Sequence, residues 1–228
     1  MTLAGCTESL SIVHPAGPAA ATIATLWWVL LAGAAVIFGL VMALLLLALR
    51  ARAANDPAEN SLVETAPDPA ADLHHERRWI IGLGLVFPVT VLSALLAYGL
   101  VIGDRLLPHK TPDLVTVEAE ARQWAWRFAY PGLPGRETEG VLHIPAGRPV
   151  DVRITTVDVI HSFWVPRLAG KLDAIPGHVN ILRLEADAPG DYAGVSAEFS
   201  GTGYADHRFT VTAHDAAGWS AFVAGAAP

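Results

Sequence analysis

Two long runs without a single Asp, Glu, Lys or Arg dominate the pattern of apolar and polar positions. They are "IATLWWVLLAGAAVIFGLVMALLLLAL" (Ile23–Leu49) and "WIIGLGLVFPVTVLSALLAYGLVIG" (Trp79–Gly103). At about 1.5 Å rise per residue, a helix over either run is long enough for the roughly 30 Å hydrocarbon core of a bilayer. Glycine in both, and Pro88 in the second, are tolerated in membrane helices. Two spanning helices are therefore expected, over 23–49 and 79–103. Beyond them the period changes to two. "LVTVEAE" (Leu114–Glu120), "PVDVRITT" (Pro149–Thr156), "NILRLEA" (Asn180–Ala186) and "HRFTVTA" (His207–Ala213) alternate apolar with polar, separated by turn signals such as "YPGLPG" and "IPAGRP". Short strands at this spacing predict a β-sandwich or small barrel over 104–228. The closing "DAAGWSAFVAG" (Asp215–Gly225) predicts one short helix with Asp215 as N-cap. The fold class is a membrane-anchored all-β protein, a two-helix transmembrane hairpin followed by a sandwich.

Basic residues orient the hairpin. Arg50, Arg52, Arg77 and Arg78 flank the connection 50–78, whereas residues 1–22 hold no Lys or Arg. The connection, rich in Ala, Pro and acid, is then a cytoplasmic linker. Both termini fall on the far side, the periplasm if the cell is bacterial. Trp27 and Trp28, near the outer end of the first run, fit an interfacial aromatic belt. "LAGC" (Leu3–Cys6) matches the lipobox at which bacterial lipoproteins are cleaved and lipidated on cysteine. A chance run of small residues is the other reading, since an apolar core normally precedes such a box.

Composition agrees: 53% of residues are apolar and only 16% charged, low for a water-soluble chain. A net charge of −7 without a basic run argues against nucleic acid as a partner. One cysteine excludes an intrachain disulfide. No Ser-His-Asp arrangement, phosphate-binding glycine loop or CxxC zinc pair is present.

The stretch "YAGVSAEFSGTGYADHRF" (Tyr192–Phe209) has the outline of a metal-binding loop with hydroxyls where thiolates would stand. Two further blocks, "EARQWAWRFAYPG" (Glu120–Gly132) and "DVIHSFWVPRLAGKLDAIPGHVN" (Asp158–Asn180), complete a resemblance to subunit II of haem-copper terminal oxidases. The resemblance implies a cupredoxin-like sandwich. It also implies a binuclear copper centre with two bridging thiolates, two imidazoles, a methionine and a backbone carbonyl. Carried over by position, His161 stands at the first imidazole, Ser196 and Ser200 at the thiolates, and Glu198 at the carbonyl donor. Tyr204 stands at the second imidazole and His207 at the methionine. Thiolate is the soft ligand such a centre needs, so no binuclear copper is expected. The pattern is similar to bacterial ubiquinol oxidase subunit II, in which quinol delivers electrons directly to subunit I.

Several residues carry two readings. His161 and His207 hold a lone metal, or are packing and hydrogen-bonding histidines. Glu198, with Asp173, ligates Mg²⁺ at the boundary with subunit I, or accepts interface hydrogen bonds. Trp124 is the family's electron-entry aromatic, or simply packs, as Trp126 is expected to. Glu76 sits near the mouth of a proton pathway, or is a solvated charge like its neighbours His74 and His75. The resemblance implies a respiratory complex of the bacterial inner membrane that reduces O₂ to water and translocates protons. Its partners are subunits I and III, its donor quinol reached through subunit I, and its haems and copper lie in subunit I. This chain would be structural and without a redox cofactor of its own. Two alternatives stand beside it: a cytochrome c oxidase subunit with altered electron entry, and a membrane-anchored copper-delivery cupredoxin.

Overall fold

The computed structural model describes residues 8–54, 77–109 and 111–225. Two helices among them are long and apolar enough to cross a membrane. Helix α1 runs Pro18–Ala54, past both ends of the apolar run at 23–49. Helix α2 runs Arg77–Leu106. The most apolar window of each holds no buried residue, which separates them from the core helices of a soluble domain. A π-helical turn, Gly82–Val86, interrupts α2, with the Phe87 N–H donating to the Gly82 carbonyl. Pro88 accounts for it. Proline has no N–H to give, and its ring crowds the carbonyl four residues back, at Gly84; a single widened turn relieves the conflict. Cys6, His74, His75, Glu76 and most of the 50–78 linker lie outside the described residues.

The chain divides into two compact units, Trp28–Arg105 and a second that joins the segment up to Trp27 to the segment from Leu106 onward. The second unit is a sandwich of two five-stranded sheets. Its strands are β1 Val115–Arg122, β2 Ala125–Ala129, β3 Glu137–Glu139, β4 Val141–Pro145 and β5 Val150–Thr156. They continue with β6 His161–Trp164, β7 Lys171–Ala174, β8 Asn180–Leu184, β9 Gly190–Ser196 and β10 Arg208–His214. One sheet has the order β3-β2-β1-β5-β8 and the other β4-β10-β9-β6-β7. Each contains one parallel pair, β1 with β5 and β10 with β4. This is the expected cupredoxin-like architecture.

The core follows the alternation of the strands. Val117, Ala119 and Ala121 of β1 and Val150, Val152 and Ile154 of β5 point inward, while Glu118, Arg122 and Arg153 stay outside. Four aromatic rings fill the middle, Trp126 and Phe128 from one sheet against Phe163 and Phe209 from the other, with centroids 4.7–6.5 Å apart. Gly194 makes room for them: a Cβ there would lie 2.3 Å from the Phe209 ring on the neighbouring strand. Helix α3, Ala216–Val223, closes the unit. Asp215 caps it as expected, its Oδ1 accepting from the Gly218 N–H at 2.7 Å.

The N-terminal segment is tied into the same unit. The Ala16 N–H donates to Arg167 O at 2.7 Å, Ala20 N–H to Leu168 O at 3.2 Å, and Asp187 N–H to Ala16 O at 2.8 Å. Arg167 Nε donates to His14 O at 2.9 Å. Apart from the Arg167 bond, these pass from main chain to main chain and leave no side-chain pattern to read.

Candidate functional site at the β6, β9 and β10 ends

Three segments meet at one end of the sandwich. His161 opens β6, Ser196 closes β9, and His207 immediately precedes β10. Main-chain bonds lock them together: Ser196 N–H to His207 O at 2.9 Å and Ala197 N–H to Ser162 O at 3.0 Å. The imidazoles of His161 and His207 meet edge to face, centroids 5.1 Å apart, with Trp126 stacked on His207 at 5.8 Å. His161 is 0% and His207 2% exposed; Ser196 and Ser200 are each 5% exposed. The structure therefore brings together four of the six positions singled out.

Glu198 and Tyr204 stand apart from that cage. Glu198 is about half-exposed and forms an ion pair with Lys171 Nζ. Tyr204 lies in the short 3-10 turn Tyr204–Asp206 with its ring against Phe199 at 5.3 Å. Two glycines shape the connecting loop. Gly201 and Gly203 have φ of 118° and 102°, in the region that favours glycine. A Cβ on Gly201 would meet Gln123 Nε2 at 2.8 Å and the Trp124 ring at 3.3 Å. Trp124 thus lies over this loop, 42% exposed, edge-on to His207 at 6.1 Å. Trp126 is fully buried, a core side chain as expected.

Asp158 orients the first histidine. Its Oδ1 lies 2.9 Å from His161 Nε2. Burial would raise the Asp158 pKa, but the Gln123 N–H, the His161 ring, the Val159 N–H and the Thr156 hydroxyl together hold it down at about 2. The ring nitrogen facing that carboxylate therefore carries the hydrogen, and in the neutral ring Nδ1 keeps its lone pair. Burial pushes the His207 pKa down, helped by the His161 charge. The Ala125 backbone and Asp158 pull the other way, Ala125 without reaching hydrogen-bond geometry.

Seven buried side-chain polar atoms have no hydrogen-bond partner among the described residues. They are His161 Nδ1, both His207 nitrogens, the hydroxyls of Ser162, Ser196 and Ser200, and Trp126 Nε1. All belong to this end of the sandwich. A protein interior tolerates few such atoms.

Comparison with known proteins assigns the family. Residues 132–213 match the family described as Cytochrome C oxidase subunit II, periplasmic domain. A protein of Bacillus cereus named Quinol oxidase subunit 2 is 30% identical over 215 residues, covering 92% of this chain and 71% of that one. The chain belongs to the subunit II family of the haem-copper oxidases. A Cytochrome c oxidase subunit 2 of Alkalihalophilus pseudofirmus is 34% identical over 151 residues, 61% of this chain and 42% of that one. Among solved structures, the periplasmic domain of subunit II of cytochrome oxidase from Bradyrhizobium japonicum aligns with a TM-score of 0.49 and 25% identity. That alignment covers 53% of this chain and 96% of that one.

The family's binuclear copper centre is a poor match for the side chains present. Two imidazoles and two hydroxyls supply no soft anionic bridge, and a hydroxyl does not ionise near neutral pH as a thiol does. Among the described residues no group of three or more His, Cys, Asp or Glu is placed to hold a metal. The proposed Mg²⁺ pair faces a cation already: Lys171 pairs with Glu198 and also feels the Asp173 charge. A Mg²⁺ ion on Glu198 would have to displace that ammonium. Asp158, Gln123 and Lys171 had no role in the sequence reading. Lys171 and Asp173 sit two apart on β7, hence on one face of the strand, and that spacing was a readable signal.

Proposed function

We propose that this chain is the copper-free subunit II of a quinol-oxidising respiratory oxidase in a bacterial inner membrane, acting as a structural subunit while subunit I reduces O₂ to water and translocates protons. The observation that carries the reading is the pair of buried hydroxyls, Ser196 and Ser200, at the positions where bridging sulfur would be needed. Without a thiolate-bridged acceptor, an electron from a soluble periplasmic carrier has no relay in this domain, whereas quinol reaches subunit I from within the membrane.

Two further features support a subunit role. Val157, Val159 and Ile160, just before His161, and Phe199, just before Ser200, are exposed apolar side chains of the kind a partner protein covers. Subunits I and III are the partners proposed. The hydrogen bonds between residues 14–20 and 167–187 support a topology in which this N-terminal segment and the sandwich share one side of a bilayer, with an even number of crossings between them. The basic residues at 50, 52, 77 and 78 assign the other side to the cytoplasm.

The test is donor specificity. The purified complex is expected to oxidise ubiquinol and to fail with reduced cytochrome c. Rapid cytochrome c oxidation, or a mixed-valence two-copper signal from this chain, would overturn the proposal. A second reading, cytochrome c as donor, rests on the half-exposed Trp124 above His207. It predicts that Trp124→Ala lowers turnover with cytochrome c and leaves the quinol rate unchanged.

A further inference from the structure

The strands of the β3-β2-β1-β5-β8 sheet pair their charged side chains, with one exception. Arg122 pairs with Glu139, Arg127 with Glu120 and Glu137, and Arg183 with Asp151. Glu118 and Arg153 remain. Both are exposed, and neither has an ion-pair or hydrogen-bond partner among the described residues. They are register partners on the parallel pair of β1 with β5. Such strands lie about 4.8 Å apart, yet the two charged heads do not meet.

The same two residues border an apolar cleft of about 590 Å³, a volume typical of small-molecule sites. Its apolar walls are Leu114, Val115, Pro131, Leu133, Trp219 and Val223, drawn from the approach to β1, the turn after β2 and helix α3. Tyr130 lies among them with its hydroxyl already engaged, accepting from the His143 N–H at 2.7 Å. On the far side of Glu118 and Arg153 is a second, smaller hollow that shares only these two residues with the first. The two charges therefore form the polar rim of the larger cleft.

We infer that this cleft binds a free α-amino acid with a large apolar side chain, its carboxylate on Arg153, its ammonium on Glu118 and its side chain among Leu133, Trp219 and Val223. The residues themselves define that ligand. A simple anion on Arg153 meets the like charge of Glu118, and a simple cation on Glu118 meets Arg153. A zwitterion satisfies both. The planar guanidinium suits a carboxylate, which it can take with two parallel hydrogen bonds. The apolar walls call for an apolar body, and the Trp219 indole gives an aromatic one a ring to pack on. An ethanolamine phospholipid also carries a zwitterion, but its two long acyl chains outsize the cleft. A bound ligand touches β1, β5, the turn after β2 and α3 together, so it also braces α3 on the sandwich.

The test is calorimetric titration of L-phenylalanine into the full chain in detergent, with empty micelles as the blank. One saturable site is expected, with a dissociation constant below about 1 mM. L-Alanine lacks the apolar body, phenylpropionate the ammonium and phenethylamine the carboxylate. Each should bind about tenfold more weakly or worse, as should L-phenylalanine to Arg153→Gln or Glu118→Gln. Both substitutions are at exposed positions, and circular dichroism establishes that the variants are folded. Arg122→Gln, on the same sheet but outside the cleft, should leave binding unchanged. Because the ligand binds only the folded chain, saturating L-phenylalanine should also raise the urea midpoint of the parent and not of Arg153→Gln. The inference is overturned if binding does not saturate, if phenylpropionate or phenethylamine binds as tightly as L-phenylalanine, or if Arg122→Gln weakens it as much as Arg153→Gln. It is overturned equally if dihexanoyl phosphatidylethanolamine binds and L-phenylalanine does not. None of these results touches the donor assignment, which is read from quinol turnover.

Discussion

His143 lies on the opposite flank of the β4–β10 pair from solvent, 4% exposed, with its Nδ1 2.8 Å from His214 Nε2 and its ring stacked on Phe222 at 4.6 Å. Burial pushes its pKa down to about 4, aided by the neighbouring charges of His214 and Arg136 and opposed by Asp191. The unfolded chain protonates this residue near 6.5, the native chain only near 4. Stability attributable to His143 is therefore complete above about pH 6.5, falls as the pH drops toward 4, and changes no further below that. With about 1.4 kcal/mol per pKa unit, the loss is roughly 3–4 kcal/mol. Urea unfolding of the chain against a His143→Phe variant, from pH 7.5 to 4, should show the difference closing with acid; a pH-independent difference would refute it. Gly194 gives a second test at this scale. Gly194→Ala would thrust a methyl into the Phe209 ring, and overpacking of this kind costs about 1–3 kcal/mol. A midpoint shift in the same titration measures it.

What the sequence disclosed, element by element, depended on whether side chains or backbone made the structure. β1, β5, β8 and β10 each have one face buried and one wet, so their alternation was readable and their positions fell where the pattern put them. β6 was not readable that way: His161, Ser162 and Phe163 are all buried, and a strand covered on both faces shows no period of two. The cap at Asp215 was legible because it is local. The pairing of His143 with His214 was not, because it joins residues 71 apart. The family resemblance marked positions 161, 196, 200 and 207 as one site, yet it gave Asp158 no task. The N-terminal tie was invisible for the reason already given, that it is built mostly from main-chain bonds. It makes its own prediction. A Cβ on Gly17 would lie 2.1 Å from Glu185 O, so Gly17→Val should pull the segment away from the sandwich. Limited proteolysis should then cut between residues 8 and 16 in the variant and spare the parent chain; equal resistance would show that the tie is dispensable.

At the scale of the whole molecule, that tie and the two apolar helices constrain each other. Residues 14–20 share hydrogen bonds with residues 167–187, and a chain that keeps those bonds on insertion holds both segments in one aqueous compartment. Between them the chain passes through two helices long enough to span a bilayer. Crossing once would tear the N-terminal segment from its partners; crossing twice, or not at all, would keep them together. The apolar windows are unburied, which makes no crossing costly: exposing both to water forfeits about 25 cal/mol for every Å² of apolar surface. The proposed topology therefore has two crossings, with the connection expected on the cytoplasmic side because of the arginines at 50, 52, 77 and 78. Single cysteines in a Cys6→Ser background read this directly. On intact spheroplasts a membrane-impermeant maleimide should label Glu8→Cys and Glu118→Cys, while Thr65→Cys should react only after permeabilisation. If Glu8→Cys and Glu118→Cys labelled from opposite sides, one span would be false and the hydrogen bonds of residues 14–20 would have to be absent from the membrane-inserted protein.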